Sequence, residues 1–280
     1  MLSQNEILGE HPIAPDIFEK WVDSNDITRE TDRCHRSLIS KLTSDDPELT
    51  NWLAKKIVEH HYSSAKIERL RRKYKEVGFP QYASQHRQLP LAGRTRKGNA
   101  TEIVLIEYIA SCQEGRDLVK YFKFRYNPNV DQSMKGDDAL IIDVISDEAG
   151  KEEIKVFLGE AKFRTIPDKE VIKELCDSLG GDKLPLSFTF MVDRLYENEN
   201  TEATAELLEQ FIMEEVKAKG NLKYIGLLLS NKNASANIER HFNSDNPQAI
   251  ILSLGIGQPQ RLISEAFDKA EDLIANPDDI

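Results

Sequence analysis

The segment VFLGEAKFR, residues 156–164, starts as an apolar strand and ends with charged side chains. Its first three residues are typical of a strand buried inside a sheet. Glu160 and Lys162 follow, and because side chains alternate along a strand, both lie on the same face. A carboxylate and an ammonium group at this place predict either a solvated ion pair or half of a catalytic site.

A second strand is predicted at residues 139–145, directly after Gly136-Asp137-Asp138. If it forms an antiparallel hairpin with residues 155–163, Asp138 comes close to Glu160 and Lys162. Two carboxylates can hold Mg²⁺, which lowers the pKa of a bound water, and a lysine can stabilise developing negative charge. The hairpin therefore predicts a site for phosphodiester hydrolysis. The alternative is an ordinary polar turn beside a weak ion pair.

A third carboxylate, Glu102, lies in the predicted helix GNATEIVLIEYIA. Asn99 as the N-cap and Glu102 three residues later match a capping box. Glu102 also shares a helix face with Leu105, Ile106 and Ile109, so it is expected to point inward. A helix N-terminus offers backbone amides to a phosphate. Both roles, capping the helix and completing the site, are open to Glu102.

The pattern of apolar residues predicts an α/β fold, with a mixed sheet flanked by helices. Residues 1–90 are predicted to form a mainly helical N-terminal region, and residues 91–280 a second domain that holds the site. The predicted helices are 49–77, 99–112, 167–179, 202–218 and 261–275; the predicted strands are 119–126, 139–145, 155–163, 184–192, 224–230 and 249–255. Residues 79–98 contain two prolines and two glycines and are predicted to form a connector.

The 280-residue chain has a formal net charge of −11, which argues against broad electrostatic binding to nucleic acid. The charge is uneven: residues 66–97 contain ten Lys or Arg and two Glu, so this strip carries +8 and the remainder −19. Such a strip can engage a phosphate backbone or an acidic partner. The alternative is a solvated helix face followed by a basic loop.

Other classes of function lack their sequence signals. No apolar run approaches a membrane span, and the three cysteines form no CxxC pair, so we expect a cytoplasmic protein with reduced thiols and no membrane partner. No GxxxxGK[ST] or GxSxG motif is present, which argues against a P-loop ATPase and a serine hydrolase. His60 and His61 are adjacent on a predicted helix and point to different faces, so a surface role is expected.

Glu on a first helix, Asp at the start of one strand and Glu-x-Lys on the next resemble the PD-(D/E)XK nuclease superfamily. More narrowly, the segments RTRKGNATEIVLIEYI, MKGDDALIIDV and VFLGEAKFR resemble the HamA-type nuclease subunits of Hachiman antiphage defence systems. Those subunits act with a HamB-type superfamily 2 helicase. The resemblance starts near residue 94 and covers roughly two-thirds of the chain.

This resemblance implies a restriction-endonuclease-like core in residues 91–280. It also implies DNA cleavage that depends on Mg²⁺ or Mn²⁺, has little sequence specificity and occurs in a heterodimer with the helicase. The alternatives are a non-catalytic docking subunit that keeps the nuclease fold, or a restriction-type endonuclease or RNase of the same superfamily.

The resemblance also assigns roles to residues. Asp138 and Glu160 would bind the metal, Lys162 would be the catalytic lysine, and Glu102 would be the helix acid and a further possible ligand. The superfamily often has Pro before its Asp, and Asp137 stands in that place here, so Asp137 remains the alternative ligand. The predicted DNA contacts are Lys135, Arg94, Arg96, Lys97 and Arg164.

Overall fold

The apolar strands assemble into one mixed sheet in the computed structural model. The model describes residues 2–27, 34–77, 88–116, 118–132, 136–146, 152–180, 186–197, 202–211 and 220–275. The strands in these ranges are β1 (Val22–Ile27), β2 (Cys34–Ser40), β3 (Leu118–Lys120), β4 (Ala139–Ser146), β5 (Glu152–Phe163), β6 (Leu222–Ser230) and β7 (Ala249–Gly255). Their order across the sheet is β1-β2-β7-β6-β5-β4-β3.

The middle of the sheet is parallel and its two edges are antiparallel. β2, β7, β6 and β5 run parallel, β1 pairs with β2 as one edge, and β4 and β3 extend the other. β6 and β7 are buried at every position, as expected for parallel strands that are covered on both faces. The predicted α/β class with a mixed sheet is confirmed.

Helices cover both faces of this sheet. The first face carries α1 (Gln4–Leu8), α2 (Ile17–Trp21), α3 (Pro47–His61), α5 (Gly93–Ser111) and α10 (Pro259–Ala275), with α4 (Ser64–Val77) packed beside α10. The second face carries α6 (Lys169–Ser178), α7 (Leu186–Tyr196), α8 (Glu202–Phe211) and α9 (Ser235–His241). Each face has its own apolar cluster, with Phe157 of β5 in the first and Leu158 in the second. Because side chains alternate along β5, this strand contributes to both apolar clusters.

The N-terminal region contributes strands as well as helices. β1 and β2 come from it, and β2 pairs with β7 near the other end of the chain. The described residues on the two sides of residue 90 therefore share one sheet and the apolar cluster on its first face. The division into residues 1–90 and 91–280 stays a prediction.

Two predicted strands are wrong in whole or in part. Residues 184–192 were predicted as a strand, but α7 begins at Leu186, and Met191 and Val192 pack against the second face. Here tertiary packing overrides an alternating sequence. Of the strand predicted at 119–126, the sheet contains only the part up to Lys120, and Lys123–Tyr126 form a 3-10 helix.

The predicted helix at 49–77 is two helices, α3 and α4. Tyr62 has an extended backbone at the end of α3 and separates them. The predicted helix at 202–218 is present as α8 up to Phe211, and its last residues lie outside the described ranges. No helix in the described part of the chain is long and apolar enough to cross a membrane. Cys34, Cys112 and Cys176 are buried, and none of them is in a disulfide bond.

The helix that carries Glu102 begins earlier than predicted. α5 starts at Gly93, so the predicted capping box at Asn99 is wrong, and Glu102 lies well inside the helix rather than near its terminal amides. Asn99 is buried and its side-chain amide is 3.0 Å from His61 Nε2. The predicted surface role for His60 and His61 is also wrong, since both are buried.

Candidate active site

The site lies where β5 extends past its neighbour β4. β4 begins at Ala139, which pairs with Gly159, so the last residues of β5 pair only with β6 on the other side. Glu160 and Lys162 are in this extension. The predicted hairpin between the two strands is present, and it leaves one side of the strand end open.

Asp138 lies directly before β4 and continues the hydrogen bonding of the hairpin. Its backbone N–H donates to the carbonyl oxygen of Gly159 at 3.1 Å. Its Oδ2 atom accepts a hydrogen bond from the N–H of Ala161 at 3.0 Å, a donor that β4 no longer reaches. These two bonds fix the Asp138 carboxylate beside Glu160.

Glu160 and Lys162 form a close ion pair, with 2.6 Å between Oε1 and Nζ. Their side chains are 22% and 25% exposed, so the pair is neither free in solvent nor sealed in the core. By alternation from Leu158, both point toward the second face of the sheet. Burial raises the pKa of Glu160, and the neighbouring Asp138 raises it further.

Glu102 approaches the same strand end from the first face. Gly159 permits this approach, because a Cβ atom there would lie 2.7 Å from Leu105 Cδ2 on α5 and 2.6 Å from Ala139 Cβ. Leu105 is one helical turn after Glu102, so the close contact of α5 with β5 brings Glu102 near Asp138. Burial raises the pKa of Glu102 to about 8, although the adjacent Lys123 opposes this.

Lys123 is a site residue that sequence reasoning missed. Its side chain is 4% exposed, and its Nζ atom lies 2.7 Å from Glu102 Oε2, 3.1 Å from Asp138 Oδ1 and 3.2 Å from the Asp137 carbonyl oxygen. Burial alone would lower the pKa of Lys123, but the two carboxylates outweigh it and raise the pKa above its ordinary value. The available signal was a lysine among aromatic residues in KYFKFRY, since a buried ammonium group needs carboxylate partners.

The three carboxyl groups are arranged around Asp138. Asp138 raises the pKa of Glu102 on one side and of Glu160 on the other. Lys123 contacts Glu102 and Asp138, whereas Lys162 contacts Glu160. The alternative ligand Asp137 contacts Lys123 through its backbone carbonyl oxygen. Asp138 is therefore the shared member of both halves of the cluster.

Arg96, one of the predicted DNA contacts, is engaged inside the molecule. Its guanidinium lies 2.9 Å from Asp268 and 2.7 Å from Glu271, both on α10, and it stacks over the ring of Phe267. These contacts hold α5 against α10. They also occupy the guanidinium N–H groups with which Arg96 would bind a DNA phosphate.

The other predicted DNA contacts are placed differently. Arg94 is exposed at the start of α5. Lys97 Nζ lies 5.4 Å from the ring centre of Phe163, the last residue of β5. Arg164 is half-exposed and 3.7 Å from Glu174. Lys135 lies outside the described residues.

The donor set fits one kind of metal ion. In the described part of the chain, no group of three or more His, Cys, Asp and Glu is arranged to hold a metal, so nothing there resembles a zinc site. Mg²⁺ is often bound by one or two carboxylates and several waters. Asp138 and Glu160 supply two such carboxylates, and burial together with the neighbouring Asp138 raises the pKa of Glu160.

The fold and the cluster define an α/β protein with a carboxylate–lysine site at an open strand end. Residues 15–276 match the family model of HamA. The chain is also 35% identical over 278 residues to the Hachiman protein HamA of Bacillus cereus, an alignment that covers 97% of this chain and 96% of that protein. The chain therefore belongs to the HamA family.

Proposed function

We propose that this protein is a metal-dependent nuclease that hydrolyses phosphodiester bonds in DNA with little sequence specificity. Within a Hachiman antiphage defence system it would be the effector subunit, acting in a heterodimer with a HamB-type superfamily 2 helicase. The observation that carries the proposal is the position of Asp138 between Glu160 and Glu102, with Lys162 2.6 Å from Glu160 at an open strand end.

Each residue has a role that follows from its contacts. Asp138 and Glu160 would hold Mg²⁺ or Mn²⁺, because Asp138 is hydrogen-bonded to Ala161, the residue next to Glu160, and its charge raises the pKa of Glu160. When bound, the metal polarises a phosphoryl oxygen and lowers the pKa of a coordinated water. Lys162 is partly exposed, so its ammonium group can reach a phosphate and stabilise the negative charge that develops during hydrolysis. Lys97, beside Phe163, would contact the DNA backbone.

The charge of the surface supports control by a partner. The chain is at −11 overall, and its basic residues are concentrated between residues 66 and 97, where Arg69 and Arg72 are exposed on α4. An acidic body binds DNA weakly without help. Delivery of DNA by a helicase would then switch on cleavage, and we expect the isolated chain to bind DNA weakly at physiological salt.

The proposal is tested by plasmid cleavage with MgCl₂ or MnCl₂, using the full chain alone and together with its helicase partner. Glu160→Gln and Lys162→Met should each reduce cleavage by about a hundredfold or more, as loss of a group that stabilises transition-state charge usually does. Lys169 and Glu170 form a comparable ion pair that is exposed on α6, 3.7 Å apart. Lys169→Met and Glu170→Gln are therefore matched controls and should keep full cleavage.

Two alternatives are outcomes of the same experiment. Equal behaviour of wild type and all four variants, with and without the helicase, would indicate a non-catalytic docking subunit. Faster cleavage of RNA than of plasmid or single-stranded DNA would indicate an RNase of the same superfamily. Cleavage confined to particular DNA sequences would indicate a restriction-type endonuclease.

A further inference from the structure

Lys123 lies at the centre of the Glu102 half of the site, yet it belongs to neither of the motifs that point to hydrolysis. We propose that its ammonium group takes the place of a cation between Glu102 and Asp138, so that the site binds a single divalent metal ion, between Asp138 and Glu160. This inference rests on the proposed metal-dependent function and assigns Lys123 as a positioning residue.

Three oxygens surround the ammonium group of Lys123. A lysine ammonium group has three N–H donors, and three oxygens lie within 3.2 Å of Nζ: Glu102 Oε2, Asp138 Oδ1 and the Asp137 carbonyl oxygen. These oxygens surround Nζ, and the side chain is only 4% exposed, so the ammonium group is closed to a substrate phosphate. The group therefore holds the two carboxylates in place rather than contacting DNA, in contrast to the partly exposed Lys162.

Burial makes this cation permanent. The Lys123 side chain is 4% exposed and is carried by the 3-10 helix that follows β3. A hydrated metal ion exchanges with solvent, but a covalently attached ammonium group in the interior does not. The Glu102 side of the cluster is thus neutralised whether or not metal is present, and Asp138 is held ready before metal arrives.

A count of the charged groups in the site also favours the binding of one divalent ion. Three carboxyl groups, Glu102, Asp138 and Glu160, face two ammonium groups, Lys123 and Lys162. At most one negative charge is left uncompensated, and one divalent ion more than neutralises it. A second ion would add its charge to that of Lys123 in a partly buried site, which is unfavourable in a medium of low dielectric constant, and this repulsion is absent when Lys123 is replaced by a neutral residue.

The experiment counts bound ions by titrating MnCl₂ into the full chain, with calorimetry and the electron paramagnetic resonance signal of free Mn²⁺ as readouts. The wild type should bind one ion per chain. Lys123→Met should bind two, because Glu102 and Asp138 then lack their resident cation. Lys123→Met/Glu102→Gln should return to one, since the added site has lost a ligand.

Two ions bound by the wild type, or one by a folded Lys123→Met variant, would overturn the inference and leave the nuclease proposal standing. No binding by the wild type would instead overturn the metal dependence on which both rest. If Lys123→Met does not fold, Glu102→Gln decides: it should still bind one ion with the affinity of the wild type. A tenfold or greater loss of affinity in Glu102→Gln would identify Glu102 as a metal ligand and overturn the inference.

Discussion

Two glutamates five residues apart on α5 are both buried, yet their pKa values shift in opposite directions. Glu107 accepts from His60 Nε2 and Lys120 Nζ at Oε1, and its Oε2 atom is paired with Lys56 Nζ, each at 2.9 Å. Burial alone would raise its pKa, but these three partners lower it below the ordinary range. Glu102 has Lys123, which it shares with Asp138, and its pKa is raised to about 8.

The difference shows that one helix can carry one carboxylate whose charge is well compensated and another whose charge is not. Around Glu107 the donors outnumber the carboxylates, and the cluster links α3, α5 and β3 into a fixed unit. Around Glu102 the carboxyl groups outnumber the ammonium groups. Excess negative charge in a partly buried place costs free energy, and such excess is a common property of sites that bind cations.

The comparison is tested most strongly by the same isosteric change at each position. Glu107→Gln leaves Lys120 without its carboxylate partner and Lys56 with Glu59 alone, in a largely buried cluster, and should lower the free energy of unfolding by about 3 kcal/mol. Glu102→Gln resembles the protonated acid and should change it by less than about 1 kcal/mol. Urea denaturation near pH 5, where the raised pKa of Glu102 has cost the wild type little stability, measures both. Equal losses of unfolding free energy in the two variants would show that the two glutamates are equally well compensated by their neighbours.

Gly159 on β5 allows the close packing of α5 that brings Glu102 to the sheet. A Cβ atom at this position would meet Ala139 and Leu105 at less than 3 Å, so Gly159→Ala should cost about 2–3 kcal/mol of stability. It should also reduce DNA cleavage more than its loss of stability accounts for, because α5 is pushed away from Asp138. The measurements are urea denaturation and plasmid cleavage at a temperature where the variant is fully folded. Unchanged stability would mean that α5 and β5 are less closely packed than described.

The raised pKa of Glu102 predicts a pH dependence of stability. Because the folded-state pKa of about 8 lies above the ordinary value of 4.5, the contribution of this group is fully present below about pH 4.5 and is lost as pH rises through about 8. Between pH 6 and 8 the wild type should lose about 2 kcal/mol relative to Glu102→Gln. Parallel pH profiles of urea denaturation for the two proteins check this, and profiles that coincide would contradict it.

Substitution of Gly98 tests whether DNA approaches the site along α5, and it has the smallest expected effect on activity. Gly98 lies one helical turn before Glu102 on the same face of α5, and a Cβ atom there would meet nothing within 4 Å. Gly98→Val should fold normally but narrow the approach for DNA, with about a tenfold loss of kcat/KM for plasmid cleavage, equivalent to about 1.4 kcal/mol. Gly93→Val is the control, because Gly93 is equally unobstructed at the start of the helix. Equal activity of the two variants would place the DNA elsewhere.

Much of the sheet and half of the site could be predicted from the sequence. β4, β6 and β7 are mainly apolar segments, and strand alternation with hairpin pairing placed Asp138 beside Glu160. β1 and β2 were not predicted because VDSNDI and CHRSLIS have a mostly polar sequence. They are strands because β2 pairs with β7, an interaction between residues more than 200 positions apart.

The residues of the site that the sequence did not predict also depend on structure beyond the local sequence pattern. Lys123 enters the cluster because the chain leaves β3 as a 3-10 helix, a local change that alternation over residues 119–126 hides. His60 and His61 are buried because α3 packs against α5 and α10. Both of these helices are distant from the histidines in the sequence. Long-range packing, rather than local propensity, decided these positions.

The pairing of β2 with β7 also has a consequence for folding during synthesis. The hairpin of β1 and β2 leaves the ribosome early, but its parallel partner is made of residues 249–255. At a synthesis rate of roughly 5–20 residues per second, the edge of β2 waits about ten seconds or longer for its neighbour. The apolar surfaces of α1, α2 and α3 must be protected from aggregation over that interval, since the sheet that finally covers them is completed by one of the last strands to appear.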